Sequence, residues 1–224
     1  SGDFDGDGRG DLLLRHATTG DLAIWLMDGR AVKPGSAVFA TLDASRWQLA
    51  GIGDANVDGT ADMLWYDVLT GNVHVWLMNG ATLLPGSGVA GGAPPGVWTV
   101  LSSGDFDGDG RIDLLWRNTA TGDLNVWFLN GAAMRPGSGY VSNLNPGRWQ
   151  VGGIGDVNAD GAADIVWRDM LNGDVYVWMM NGLGWLPGSG PVAPAPLGVW
   201  DIAGTGDYDG DGRTDLLWRS NDHR

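Results

Sequence analysis

The sequence predicts an all-β fold: a β-propeller built of four-stranded blades of about 51 residues, with four repeats plus a partial fifth, cut from a larger propeller. Three observations carry this. An aspartate-rich loop begins at Asp3, Asp54, Asp105, Asp156 and Asp207, a constant spacing of 51 residues, and a fixed period on this scale marks solenoids, propellers and arrays. Between the loops, apolar runs of four to seven residues are bounded by Gly, Asn, Pro and Asp, as strands are. No segment keeps a 3.6-residue apolar period over a helical length. The chain 1–224 reads as one propeller region with repeats 1–50, 51–101, 102–152, 153–203 and a partial 204–224.

The loop is the first element of each repeat. In Asp105-Phe-Asp107-Gly-Asp109-Gly-Arg111-Ile-Asp113, aspartates fall at loop positions 1, 3, 5 and 9. Carboxylates this close repel one another, and ordering them without a cation is unfavourable. Ca²⁺ removes the problem by taking about six to eight oxygens in a flexible geometry. The carbonyl at position 7 can add an oxygen, and a glycine at position 6 allows the sharp turn. The candidate ligands are Asp3, Asp5, Asp7, Arg9 and Asp11; Asp54, Asn56, Asp58, Thr60 and Asp62; Asp105, Asp107, Asp109, Arg111 and Asp113; Asp156, Asn158, Asp160, Ala162 and Asp164; and Asp207, Asp209, Asp211, Arg213 and Asp215. Arg9, Thr60, Arg111, Ala162 and Arg213 would offer only their carbonyls. Asn56 and Asn158 bring an amide oxygen without charge, so their loops are expected to bind more weakly. Up to five Ca²⁺ ions are expected.

The remaining elements follow in the third repeat. Leu114-Leu-Trp-Arg117 is a strand, Thr121-Gly122-Asp123 a turn, and Leu124-Asn-Val-Trp-Phe-Leu129 a second strand closed by Asn130-Gly131. Glycine and asparagine suit such turns because they tolerate positive φ. A Pro-Gly-Ser turn at 136–138 leads to a short apolar piece at Tyr140-Val141. Trp149-Gln-Val-Gly-Gly-Ile-Gly155 then runs into the next loop. Runs such as Leu12-Leu13-Leu14 are apolar on both faces, as in sheets stacked face to face.

Tryptophan repeats in three registers: 65, 116, 167 and 218, with Leu14 in the first copy; 25, 76, 127 and 178; and 47, 98, 149 and 200. A residue repeated at one place in every blade is expected to pack, and so is Trp185, whose counterparts Val32, Leu83 and Met134 are apolar. Copies 102 residues apart are more alike than neighbours: Arg46-Trp47-Gln48 recurs at 148–150, and Gly96-Val97-Trp98 at 198–200. Duplication of a two-blade unit explains this.

Composition narrows the function. All 27 acidic residues are aspartates and 18 of them lie in the five loops, so five Ca²⁺ would take the formal charge from −14 to −4. The acidity is metal-site chemistry more than a steering field. Thirteen scattered Lys and Arg give no nucleic-acid footprint. Cys is absent, and no apolar run is long enough for a membrane-spanning helix. No signal peptide is visible, and the abrupt start at Ser1-Gly2-Asp3 suggests a piece of a longer exported protein. Catalysis is not expected. His16, His74 and His223 occupy different repeat positions, glutamate is absent, and Asp21, Asp123 and Asp174 share a turn register with Asn72. Ser36, Ser87, Ser138 and Ser189 are turn residues too.

The run Gly-Asp-Phe-Asp-Gly-Asp-Gly-Arg-x-Asp-Leu-Leu at 2–13 and 104–115, with a tyrosine variant at 206–217, resembles FG-GAP or VCBS-type repeats. Such repeats build the calcium-binding propellers of integrin alpha chains, related bacterial surface proteins and some seven-bladed lectins. The resemblance spans essentially the whole chain, although the literal Phe-Gly and Gly-Ala-Pro motifs are not clearly present. It implies loop ligands at positions 1, 3, 5, 7 and 9, and a binding or adhesion scaffold. A helical calcium hand fits less well, because position 12 holds Leu14 and Trp65 where that motif needs a glutamate. A nonapeptide calcium solenoid has a much shorter period.

The expected function is a calcium-stabilised extracellular module, secreted or at the cell surface, that recognises a glycan or protein ligand. The alternatives are a purely structural spacer and a non-catalytic segment of a secreted hydrolase or lyase. Specificity is expected where units differ, as at Ala23, His74, Asn125 and Tyr176 and in the long loops 88–96 and 190–198. One strand before each loop and three after make a blade, so the first copy lacks its leading strand and the last has only its first two. An open arc is expected, with edges that invite self-association; the alternative is a four-bladed ring closed by 199–206 supplying the missing strand of the first blade.

Overall fold

The computed structural model describes residues 1–221. Every regular element among them is a strand. Three complete four-stranded antiparallel sheets occupy the middle of the chain. In the central one Trp98–Gly104 pairs with Asp113–Asn118, which pairs with Asp123–Trp127, which pairs with Gly139–Asn143. The sheets on either side repeat this order, from Trp47–Gly53 to Gly88–Gly92 and from Trp149–Gly155 to Gly190–Pro194. The first blade has three strands, Leu12–Arg15, Asp21–Trp25 and Ala37–Thr41. The last has two, Trp200–Gly206 and Asp215–Ser220.

The first strands of successive blades, Trp47–Gly53, Trp98–Gly104, Trp149–Gly155 and Trp200–Gly206, pack against one another and so line the inner side of the arc, which does not close into a ring. Glycine permits this approach: a Cβ on Gly104 would lie 2.8 Å from Ile154 Cγ2 and 2.9 Å from Ala163 Cβ. Each inner strand carries a bulge, as between Val100 and Ser102, which bends it and raises the local twist.

Three apolar cores lie between neighbouring blades. One joins Leu22 and Ile24 to Met63, Trp65 and Met78; the next joins Leu64, Val73 and Val75 to Ile112, Leu114 and Trp116; the third joins Leu115, Leu124 and Val126 to Ile165 and Trp167. Alternate residues of one strand therefore serve different cores, because successive side chains point to opposite faces. This is why Asp62–Asp67 is buried at all six positions. On the open face of the first blade Leu12, Leu14 and Trp25 stay exposed.

The segments 88–96 and 190–198, expected as long loops, form outer strands over their first part, Gly88–Gly92 and Gly190–Pro194. An edge strand tolerates Pro and Gly because only one of its sides must pair. The fold also adds a small hairpin in four repeats, such as Leu129–Asn130 with Ala133–Met134, around the expected Asn-Gly turn. His223 lies outside the described residues.

Candidate metal centre

Each acidic loop from the second onward connects the inner strand of a blade to its second strand, and the first loop leads into Leu12–Arg15. Position 1 organises it. The Asp105 carboxylate accepts hydrogen bonds from the backbone N–H of Asp109 (3.1 Å) and Gly110 (2.7 Å). The same pair of contacts recurs at Asp3, Asp54, Asp156 and Asp207. Position 9 anchors the loop to the sheet. Asp113 is fully buried, and its two oxygens accept the N–H of Phe106 at 3.0 Å and of Leu129 at 2.9 Å. Asp11, Asp62 and Asp164 do the same. Burial pushes the Asp113 carboxyl up to about 7, and those of Asp62 and Asp164 to about 6, with neighbouring loop carboxylates adding to the effect.

Position 2 ties the first three loops to the next blade. Phe4 and Phe106 are fully buried in the cores they share with the following sheet. The Phe106 carbonyl accepts the N–H of Gly182, and the Asp105 carbonyl accepts that of Ala163 at 2.6 Å. Equivalent bonds join Asp3 to Ala61, Asp54 to Ile112 and Asp156 to Thr214. The loops are thus the seams between blades.

The carboxylates at positions 1, 3 and 9 converge in three loops. One oxygen from each of Asp3, Asp5 and Asp11 lies within 4.8 Å of the others, and Asp105, Asp107, Asp113 and Asp207, Asp209, Asp215 repeat the arrangement. Asp5 Oδ1 is buried and has no hydrogen-bond partner among the described residues. Three converging carboxylates, one of them with a buried partnerless oxygen, suit a hard cation, so the donor set fits Ca²⁺.

Position 5 stands outside this convergence. Asp7, Asp58, Asp109, Asp160 and Asp211 each accept the N–H of position 7, at 2.8 to 2.9 Å. The outer oxygens of Asp7, Asp58, Asp109 and Asp160 meet other partners. Lys33 Nζ lies 2.5 Å from Asp5 Oδ2 and 2.6 Å from Asp7 Oδ2, and Arg135 reaches both Asp107 and Asp109. The hydrogen bond from Lys33 holds Asp7 below the usual carboxylate range. In the asparagine loops the amide supplies the donor: Asn56 Nδ2 donates to Asp58 at 2.9 Å and Asn158 Nδ2 to Asp160 at 2.8 Å. The Asn56 and Asn158 oxygens accept the N–H of position 5, at 3.0 and 2.9 Å. Lys33 and Arg135 went unread in the sequence because they stand 28 residues from position 3 of their loops.

The positions that differ between units face the Trp register across the hairpin: His74 pairs with Trp65, Asn125 with Trp116 and Tyr176 with Trp167. His74 packs edge-on against Trp47 at 4.8 Å, and Tyr176 against Trp149 at 5.1 Å. Asn125 lines a crevice of about 180 Å³ with Trp98, Trp116 and Trp127. Tyr176 lines one of about 230 Å³ with Leu144, Trp149, Trp167 and Trp178. Trp65, Trp116 and Trp167 are buried packing residues, whereas Trp185 is half exposed and stacks on Trp178 at 4.7 Å.

Radially stacked four-stranded sheets joined by acidic loops define a repeat β-propeller protein. A family model described as FG-GAP-like repeat matches residues 105–167 and 156–218, and the chain belongs to that family. Among solved structures, a chain of the Photorhabdus luminescens Tc holotoxin pore with the TccC3-D651A mutation is similar at a TM-score of 0.61 and 17% identity, over 97% of this chain and 10% of that one. A chain of a nidogen–laminin complex is similar at a TM-score of 0.48 and 15% identity, over 87% of this chain and 65% of that one. This chain therefore spans less than two thirds of either. No curated protein matches it in sequence.

Proposed function

We propose that the chain is a calcium-stabilised extracellular binding module, in which ions held at the blade seams rigidify a surface that recognises a glycan or protein ligand. The observation that carries the calcium reading is the convergence of three carboxylates in each of three loops, with Asp5 Oδ1 in the first of them buried and partnerless. Asp3, Asp5 and Asp11, with Asp105, Asp107 and Asp113 and with Asp207, Asp209 and Asp215, would hold the ions. A bound divalent ion would supply charge neutralisation at a seam whose backbone already bonds to the next blade. On this reading the module is not itself an enzyme, and ligand specificity lies in the inter-blade crevices lined by Asn125 and Tyr176.

The test is a thermal melt in EGTA and in millimolar Ca²⁺. An ion that binds only the folded chain stabilises it by RT ln(1 + [L]/Kd), about 2.7 kcal/mol per site at a hundredfold excess over Kd. Melting should rise strongly with Ca²⁺ and little with Mg²⁺, which demands stricter octahedral geometry. Identical melts in EGTA and Ca²⁺ would overturn the calcium reading. A glycan array on the calcium-loaded protein then tests recognition, and a wholly blank array favours a protein ligand or a spacer.

A further inference from the structure

The loops with aspartate at position 3 differ from the asparagine loops at a second place, far along the chain. The residue 28 positions after Asp5 is Lys33, and the residue 28 after Asp107 is Arg135. The residue 28 after Asn56 is Leu84, and that after Asn158 is Leu186. A base therefore accompanies the extra acid, and an apolar residue accompanies the amide.

The backbone presents this position identically in all four blades. The N–H of Lys33 donates to the Leu26 carbonyl at 2.7 Å, and those of Leu84, Arg135 and Leu186 donate to Leu77, Phe128 and Met179 at the same distance. Ser36 Oγ donates to the Lys33 carbonyl at 2.8 Å while accepting the N–H of Leu26 at 2.9 Å, and Ser138 repeats this beneath Arg135. The arm is thus rooted in a fixed hairpin and aimed at the loop. In the asparagine blades the same root carries leucine, and the amide spans positions 3 and 5 instead.

Charge completes the comparison. Arg9 lies 3.0 Å from Asp28 and 3.6 Å from Asp7, and Arg111 approaches Asp109 at 3.0 Å. Loops 3–11 and 105–113 each set four carboxylates against two basic side chains, leaving two net negative charges. Loops 54–62 and 156–164 have three carboxylates and no base, leaving three.

We infer that Lys33 and Arg135 are tethered counter-cations: they hold the position-3 and position-5 carboxylates together in the metal-free chain, and they compete with an ion for the position-3 carboxylate. The first half stands on the geometry alone; the second rests on the calcium reading above. It follows that the basic arm offsets part of the affinity that the additional aspartate gives loops 3–11 and 105–113.

The test is a double-mutant cycle that recreates the natural alternative. R135L, D107N and D107N/R135L are melted in EGTA, and K33L, D5N and D5N/K33L provide the same cycle in a different blade should one set fail to fold. R135L alone should lower the melting temperature by several degrees, because it strands two adjacent carboxylates. D107N/R135L, which reproduces Asn56 with Leu84, should recover most of that loss. Additive effects in both cycles would overturn the counter-cation. Calorimetric titration with Ca²⁺ alone reads the second half: R135L should tighten one site by tenfold or more, and unchanged affinity would overturn the competition. If no variant binds Ca²⁺ while the EGTA cycles still couple, the calcium reading and the competition fail and the counter-cation stands.

Discussion

At position 4 of the loops, Gly6, Gly108 and Gly210 adopt positive φ, and so do Val57 and Ala159 in the asparagine loops, at φ 62°. The left-handed region costs an L-residue about 1–2 kcal/mol, and a β-branched side chain there is a genuine outlier. Val57 is also half exposed, so it recovers little by burial. Val57→Gly and Ala159→Gly should therefore each stabilise the protein by about 1 kcal/mol, which for a chain of this size raises Tm by about 2–4 °C per kcal/mol. A urea or thermal melt checks this, and an unchanged or lowered midpoint contradicts it. Residue types alone pointed to acidic clusters that could hold an ion, and the aspartates at positions 1, 3 and 9 of three loops do converge. They did not reveal that position 9 is committed to two backbone N–H groups, nor that position 5 bonds outside the converging trio. Those facts depend on how the loop coils, and a spacing pattern assigns equal roles to all four acids.

At the scale of the element, neighbouring blades solve the same electrostatic problem differently. In the second blade Arg46 donates to Asp67 through Nε at 3.0 Å and Nη2 at 2.7 Å, and Arg148 grips Asp169 in the fourth blade in the same way. The corresponding pairs elsewhere are Val97 with Asn118 and Val199 with Ser220. Each arginine also lies over its neighbouring tryptophan, Arg46 at 5.2 Å from Trp47 and Arg148 at 5.3 Å from Trp149. The guanidinium holds both carboxyls well below the usual carboxylate range. The titratable and charged groups around Asp67 are Arg46, His74 and Tyr66; around the Asp169–Arg148 pair they are Asp174 and Tyr176. A carboxyl depressed in the folded state contributes stability in full above its unfolded value of about 4, and loses it as pH falls below that. D67N/D169N, compared with the unmodified chain in EGTA, should lower stability at pH 7 and shrink the further loss between pH 5 and pH 2. A parallel acid limb would refute the assignment. The alternation of blades was legible from the Arg-Trp-Gln recurrence, but the Arg46–Asp67 pairing was not, because 21 residues and a whole acidic loop separate the partners.

For the whole molecule, the period, the turns and the doubly apolar strands were enough to indicate stacked four-stranded sheets. The outer strands were the weakest signal, because Gly88–Gly92 and Gly190–Pro194 pair on one side only and carry little apolar patterning. An arc of blades is stabilised mainly by contacts between neighbours, as in other repeat proteins. Its ends are consequently poorer than its middle. The second strand is buried at all six positions in Asp62–Asp67 and Asp164–Asp169, but at none in Leu12–Arg15 and Asp215–Ser220. Local opening is easiest where few apolar contacts must be broken. Hydrogen exchange of this chain should be slowest in Asp62–Asp67, Asp113–Asn118 and Asp164–Asp169, and faster by orders of magnitude in the first and last blades. Because the loops bond each blade to the next, as Asp54 does to Ile112 and Asp105 to Ala163, Ca²⁺ should slow exchange on both sides of every seam it occupies. Protection confined to the loop residues would mean that the ion stiffens loops without joining blades.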